Sequence, residues 1–280
     1  MDHQTKPNVS DAGRTPPILA RKAFEARSLF DPQTLLRDAR RQKGLLAQDV
    51  PPVCVLDPDG DIVRWLRATG AGKRSAGWAC YHTELLEFEL SGRILGIVGC
   101  AVGASFAVLV AEELFASGCQ FLISITSAGQ IVDDGDLPYF VVIDRALRDE
   151  GTSYHYLPPA DFAEADPGLV SIAQGAVLTA GVPLRRGASW TTDAPFRETA
   201  AALETARTHG ILAVEMEAAA LYAFAFAQRR SVVCFAHVTN AIGRAERNFE
   251  KGHAAGTTEA LKIIAATAEA HAARAGLEAR

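Results

Sequence analysis

The sequence predicts an α/β fold in which a central mixed β-sheet is flanked by helices. Short apolar runs alternate with helix-patterned stretches along most of the chain, as expected of strands buried on both faces. One tight turn, Ser91-Gly92, joins two of these runs as a hairpin, which argues against an uninterrupted eightfold barrel. Hydrophobic residues make up 49% and charged residues 22% of the 280, enough for a sizeable core and too apolar for a disordered chain. The length leaves one or two domains open and fits one large α/β layer.

Residues 1–30 carry charge, proline and glycine where an export signal needs an apolar stretch, and read as a loose tail. Asp31 to Gln48 has apolar residues at helical spacing behind an Asp-Pro start, which predicts an N-terminal helix within 31–50, outside the main layers. The principal domain then occupies 51–280. Val53–Leu56 is a short strand, and Asp57-Pro-Asp-Gly-Asp61 is a turn whose last aspartate is placed to cap a helix through Ala68. Gly70–Gly77 reads as a loop. Leu85–Leu90 and Arg93–Val98 are the hairpin strands, and the second feeds a helix from Ala104 to Ser117. Phe121–Thr126 is the next strand, Asp133-Asp134-Gly135-Asp136 a turn, and Tyr139–Asp144 a further strand. A proline-bearing irregular stretch leads to a helix at Pro167–Ala180 and a strand at Leu184–Ser189. Ile211–Val214 feeds a helix from Met216 to Gln228, Ser231–His237 is the last strong strand, and the Ala-rich Thr257–Ala273 closes the chain as a helix. In such layers ligand sites gather at the strand C-termini.

Lys plus Arg number 28 against 33 Asp plus Glu, a net charge of −5, so no global positive field draws in nucleic acid or anionic lipid. The five cysteines (Cys54, Cys80, Cys100, Cys119, Cys234) include no C-x-x-C pair. They fit reduced core thiols in a cytoplasmic protein better than a disulfide framework or a zinc cage, and no metal site is expected. Ile94–Ala111 runs eighteen residues without a charge, but Gly96, Gly99 and Gly103 divide it. It reads as a buried strand, a glycine turn and a packed helix, not as a membrane span.

Four loops behind apolar strands hold groups that a sealed core does not need. Gly99-Cys-Ala-Val-Gly-Ala-Ser105 lets backbone N–H groups approach an anion or a sugar hydroxyl at a helix N-terminus; the same glycines also serve tight strand-to-helix packing. Neither G-x-x-x-x-G-K-S/T nor G-x-G-x-x-G occurs here, which counts against ordinary ATP or NAD use. Ser124-Ile-Thr-Ser-Ala-Gly129 offers hydroxyls and a glycine at the same edge, or a turn with no ligand. In Arg148–His155, the histidine can hydrogen-bond a ligand hydroxyl through either ring nitrogen, or serve structure alone. Val214-Glu-Met-Glu-Ala-Ala-Ala220 is the sharpest signal: Glu215 and Glu217 flank a strand-to-helix junction, so at least one carboxylate faces the strand ends. Acids also suit the positive end of a helix with no ligand, but Met216 between them is not needed for capping and presents a soft apolar surface to a ring.

This V-E-M-E-x-A-A run resembles the ribose-binding segment of the nucleoside phosphorylase family that includes uridine phosphorylase. Gly99–Ser105 with Glu112-Glu-Leu-x-x-x-Gly118 is similar to the family's glycine loop and helix, and Ile125–Gly129 to its next strand end. Gly151-Thr-Ser-Tyr-His155 and Thr192-Asp-Ala-Pro-Phe196 resemble its G-x-S-x-H and base-side segments. The resemblance implies a single three-layer α/β domain, homodimers often built into hexamers, and cleavage of the bond between C1′ of a pentose and a nucleobase. It implies no metal and no cofactor, with phosphate as co-substrate.

On this mapping Glu217 and His155 are catalytic: Glu217 binds the 2′ and 3′ hydroxyls, and His155 approaches the sugar or its nucleophile. Met216 packs against the sugar, Glu215 supports the junction, and Phe196 stacks on the base while Arg197 and Glu198 meet its polar edge. Gly103, Ser124, Ser127 and Gly129 line the glycine and hydroxyl loops. Asn240 stands where purine members usually have an aspartate acid, and an amide cannot donate that proton, so a pyrimidine is favoured.

The sequence departs from the family at phosphate. The places matching the family's phosphate-binding arginines read Asp57-Pro-Asp-Gly-Asp61, Tyr81-His82 and Ser124; Lys73 or Arg74, in a mobile-looking loop, can substitute, although two adjacent cations there read first as a solvated surface. The reading is phosphorolysis of a uridine-like nucleoside; hydrolysis is the alternative that the missing arginines favour, and a non-catalytic nucleoside-binding protein is a second. The expected partners are a nucleoside and phosphate or water, with no nucleic acid and no membrane.

Overall fold

The computed structural model describes residues 15–132, 135–242 and 250–278. Residues 1–14 of the tail and Asp133-Asp134 of the expected turn lie outside the described residues. Residues 15–31 form no helix or strand. Helix α1 (Pro32–Lys43) starts where Asp31 accepts the Thr34 N–H at 2.8 Å. It stops earlier than the apolar spacing predicts, because Gly44 takes a left-handed conformation (φ 65°) that ends the helix ladder. Leu36 and Ala39 pack it against Ala79 and Ala116.

The first strand, β1 (Val53–Asp57), leads into α2 (Asp61–Thr69), and the expected loop after it contains a short edge strand, β2 (Gly72–Arg74). The hairpin forms as read, from β3 (Leu85–Leu90) and β4 (Arg93–Gly99), with Ser91 and Gly92 both at positive φ. Helix α3 (Ala104–Ala116) follows. Four strands run further than their apolar cores predict: β5 (Phe121–Gln130), β6 (Tyr139–Asp149), β8 (Leu184–Thr192) and β10 (Ser231–Ala241). Their polar ends stay extended because ladder partners hold them, as when β5 pairs with β10 as far as Gln130↔Ala241. A three-residue strand, β7 (Phe162–Glu164), and helix α5 (Ala200–Thr208) were not marked by the apolar pattern. The others are α4 (Pro167–Thr179), β9 (Ile211–Glu215), α6 (Ala218–Gln228) and α7 (Thr257–Glu278).

The result is the predicted α/β fold, with seven α-helices among the described residues around a mixed sheet. Strands β1, β4, β5 and β10 run parallel to their neighbours in this group, so their C-terminal ends share one edge. The sheet also curls: β5 pairs with β10, β10 with β6, β6 with β8, β8 with β9, and β9 returns antiparallel to β5 at Gly129↔Val214. That closed ring brings the end of β9 beside the ends of β5 and β10.

Helix α6 is buried from Ala218 through Ala225, and its alanines let it lie close under the sheet. Tyr222 anchors it: its hydroxyl donates to the Ile143 carbonyl at 2.6 Å and accepts the Cys234 N–H at 3.0 Å. Tyr222→Phe leaves both backbone groups without this partner. The expected cost is about 1–3 kcal/mol, read as a lower urea midpoint with an unchanged slope.

Candidate active site

Strand β9 ends at Glu215 and α6 begins at Ala218, so Glu217 stands at the helix N-cap. Its own side chain does not cap. Glu215 does: Oε2 accepts the N–H groups of Glu217 and Ala218, both at 2.7 Å, while Oε1 accepts Ser189 Oγ at 2.9 Å and Thr191 Oγ1 at 2.5 Å. Thr191 Oγ1 in turn accepts the Ala219 N–H at 2.9 Å. With these helix-end donors satisfied, the Glu217 carboxyl turns toward α3, where Oε1 accepts the Gly103 N–H at 2.7 Å. Its Oε2 has no hydrogen-bond partner among the described residues, although Glu217 is only 1% exposed.

Burial, and then the adjacent Glu215 charge, push the Glu217 pKa from 4.5 to about 8, against the pull of the Gly103 N–H and the nearby Thr126 hydroxyl, which does not reach hydrogen-bond geometry with Oε2. Burial also raises Glu215, against the opposing pull of its hydroxyl and N–H donors. Burial therefore favours the protonated form of Glu217, which has fewer donors than Glu215 to stabilise its charge.

The β1–α2 turn lies at the same edge. Asp57, not Asp61, caps α2: its Oδ1 accepts Gly60 N–H at 3.1 Å and its Oδ2 accepts Val63 N–H at 2.9 Å. Asp61 is instead the first helical residue, paired with Arg64 at 2.5 Å and with Lys251. Burial raises Asp57 to about 7. Asp59 reaches across to β5, where its carboxylate accepts both the N–H and the hydroxyl of Ser127, each at 2.6 Å. His237, the register partner of Ser127 on β10, stacks on Phe140 with ring centroids 4.4 Å apart. It is 6% exposed, its Nε2 has no hydrogen-bond partner among the described residues, and burial, then Lys251, lower its pKa to about 4.

The structure thus brings Gly103, Ser127, Glu215, Met216, Glu217 and the end of β10 at Asn240 to one edge. Within that group Glu215 has both oxygens engaged by protein donors, so it supports the β9–α6 junction and has no oxygen left for a substrate. Other expected residues stand elsewhere. Ser124 is buried in mid-strand, between Leu56 and Cys234, because β5 continues past the expected strand end. Gly129 is a packing glycine: a Cβ there would fall on Ile242 and near Val214.

His155 is exposed beside Lys22, 3.2 Å from its Nζ, and neighbouring Tyr156 packs on Phe224, two turns along α6 from Glu217. Phe196 is 99% exposed and Arg197 exposed, on a turn that contacts neither acid; Glu198 is half-buried, and burial raises its pKa. Lys73 and Arg74 lie on edge strand β2, with Arg74 paired to Glu84. Asp59, Arg64, His237 and Lys251 are the site-edge residues that sequence reading does not mark. Only Asp59 had a signal, its place in the strand-ending turn.

Cavities of about 1500, 550 and 220 Å³ lie elsewhere, and Glu217 lines none of them. The largest sits at the start of β10 and the end of α6, the edge opposite Glu217. No group of three or more His, Cys, Asp or Glu among the described residues is arranged to hold a metal ion. No helix among them is long and apolar enough to cross a membrane.

A curled mixed sheet with a buried acid pair at its carboxyl edge defines a class of α/β proteins that hold a small polar ligand at the strand ends. The chain belongs to the phosphorylase superfamily, whose family model matches residues 55–275. Among curated relatives, it is 27% identical to purine nucleoside phosphorylase DeoD-type 2 of Vibrio vulnificus (strain YJ016), across 63% of this chain and 76% of that protein. It is 26% identical to a DeoD-type purine nucleoside phosphorylase of Brevibacillus brevis, across 59% of this chain and 73% of the relative. It is 32% identical to the DeoD-type enzyme of Hahella chejuensis, across 49% and 59%. Nucleoside phosphorylases use phosphate as co-substrate and need no cofactor.

Folding holds a proton on Glu217 that the unfolded chain releases near pH 4.5, so this residue's contribution to stability falls as pH rises from there to about 8. Glu217→Gln removes that slope, while the Asp57 and His237 contributions are common to both proteins and cancel. Urea midpoints measured from about pH 5 to about pH 8.5 are expected to show wild type losing stability relative to the variant. Parallel curves contradict the protonated Glu217.

Proposed function

We propose that this protein cleaves the N-glycosidic bond of a nucleoside, transferring the pentose to phosphate and releasing the free base and a pentose 1-phosphate. One observation carries the reading: the buried Glu217 carboxyl, fixed by Gly103 through one oxygen and unpartnered at the other among the described residues. A buried acceptor without a donor is costly, and a sugar hydroxyl supplies one. In the reaction the C1′–N bond breaks with its electron pair leaving on the base, and a phosphate oxygen bonds to C1′. The sugar is oxocarbenium-like between these events, so a carboxylate at its hydroxyls both fixes the ring and adds stabilising negative potential. Hydroxyl donors favour the ionised form of Glu217, so binding shifts its proton away.

Asn240, half-buried at the end of β10, favours a pyrimidine, because its amide cannot protonate a departing purine. The names of the relatives point instead to purines. The five unpaired cysteines suit a cytoplasmic enzyme, and assembly into dimers or hexamers is the expectation the resemblance carries.

A second reading, transfer to water, is favoured by Asp59, whose carboxylate already occupies the Ser127 donors. Base release from uridine, thymidine, inosine and adenosine, measured with and without phosphate, separates the readings. Phosphorolysis requires phosphate and yields pentose 1-phosphate; equal rates and free pentose establish hydrolysis. Glu217→Ala is expected to lower kcat/KM by about two to four decades with the fold intact. Near-normal turnover in that variant removes Glu217 from the site.

A further inference from the structure

We propose that Asp59 sets how this site treats an anionic acceptor: its carboxylate is an internal anion seated on the Ser127 donors, and phosphate binds there only by displacing it. The inference takes its meaning from the nucleoside-cleaving reading, but it is measurable without any nucleoside. Ser127 presents an N–H and a hydroxyl at the carboxyl edge of β5, and one carboxylate takes both at 2.6 Å, the short length of charge-assisted bonds.

Basic groups also stand nearby. Lys251 Nζ lies 4.0 Å from Asp59 Oδ1 and bonds Asp61, which also holds Arg64. His237 and Ser127 are register partners on parallel strands, so their side chains leave the same sheet face, and the His237 Nε2 is buried without a hydrogen-bond partner among the described residues. Without the Asp59 carboxylate, both Ser127 donors are left for another acceptor, with Lys251 close to the place it held. With it, a dianion meets a like charge at contact distance, whereas neutral water meets an acceptor.

The test is calorimetric titration of the purified full-length chain with inorganic phosphate. Asp59→Ala is expected to bind phosphate about tenfold or more tightly than wild type, the scale of one additional charge-assisted hydrogen bond. Adding Ser127→Ala to that variant is expected to return the affinity most of the way to the wild-type value. Asp59→Asn, which keeps the side chain's size and drops its charge, serves as the second variant if the alanine chain does not fold, and is expected to shift in the same direction. Unchanged or weaker phosphate binding in a folded Asp59 variant overturns the proposal, as does a wild-type Kd already in the range of about 1 μM. Base release is scored separately: its absence from every nucleoside removes the enzymatic reading and leaves the titration to decide the role of Asp59.

Discussion

Four donors converge on Glu215 where β9 turns into α6, and the geometry of the whole edge follows from that convergence. Two come from the strand beneath, Ser189 and Thr191, and two from the helix itself, the N–H groups of Glu217 and Ala218. Bonds of this charge-assisted kind contribute about 1.5–3 kcal/mol each, and here they also fix the angle at which a fully buried helix leaves the sheet. Because Glu215 and Thr191 satisfy the helix end, Glu217 is released from capping and turns its carboxyl outward to Gly103. The two glutamates, two residues apart, divide the labour by environment: one is saturated with donors and structural, the other is left one donor short.

The carboxyl edge is acidic, and each acid there has a different partner. Asp57 takes the backbone N–H groups of α2, Asp59 takes Ser127, Asp61 takes Arg64 and Lys251, and Glu217 takes a proton. Such an edge lowers the energy of a positively charged sugar, because developing positive charge finds carboxylates already in place and needs no reorganisation. The same field opposes a phosphate dianion. A family chemistry that needs both an oxocarbenium-like sugar and a phosphate is thus met by a chain whose described residues favour the first partner over the second.

Much of this was legible in the sequence, and the limits have physical causes. The alternation of apolar strands with helices, the Ser91-Gly92 hairpin and the acid pair at Val214–Ala220 are local patterns, and local patterns survive into the fold. What the pattern does not carry is distance. The Asp59–Ser127 contact joins residues 68 apart in the chain, and the Lys251–Asp61 pair joins residues 190 apart. His237 reads as the apolar end of a strand until register sets it beside Ser127. Strand ends were misjudged where hydrophobicity fades but ladder bonds persist, which placed Ser124 at an edge it does not reach. Helix α5 buries only Leu203 and Ala206, too few positions to mark a face.

Burial of Glu217 constrains how a nucleoside arrives. Beside that carboxyl, between β4 and α3, Cys100 and Gly103 both take positive φ, and the Gly103 N–H donates to Glu217. Gly103 has open space where a Cβ would stand, so the strain of moving it is small. A sugar hydroxyl that reaches the second carboxyl oxygen stabilises the ionised acid, which strengthens the Gly103 bond on the first oxygen. On the proposed nucleoside-cleaving reading, a hydroxyl at the second oxygen thus displaces the Glu217 proton and leaves the negative potential that a breaking C1′–N bond requires.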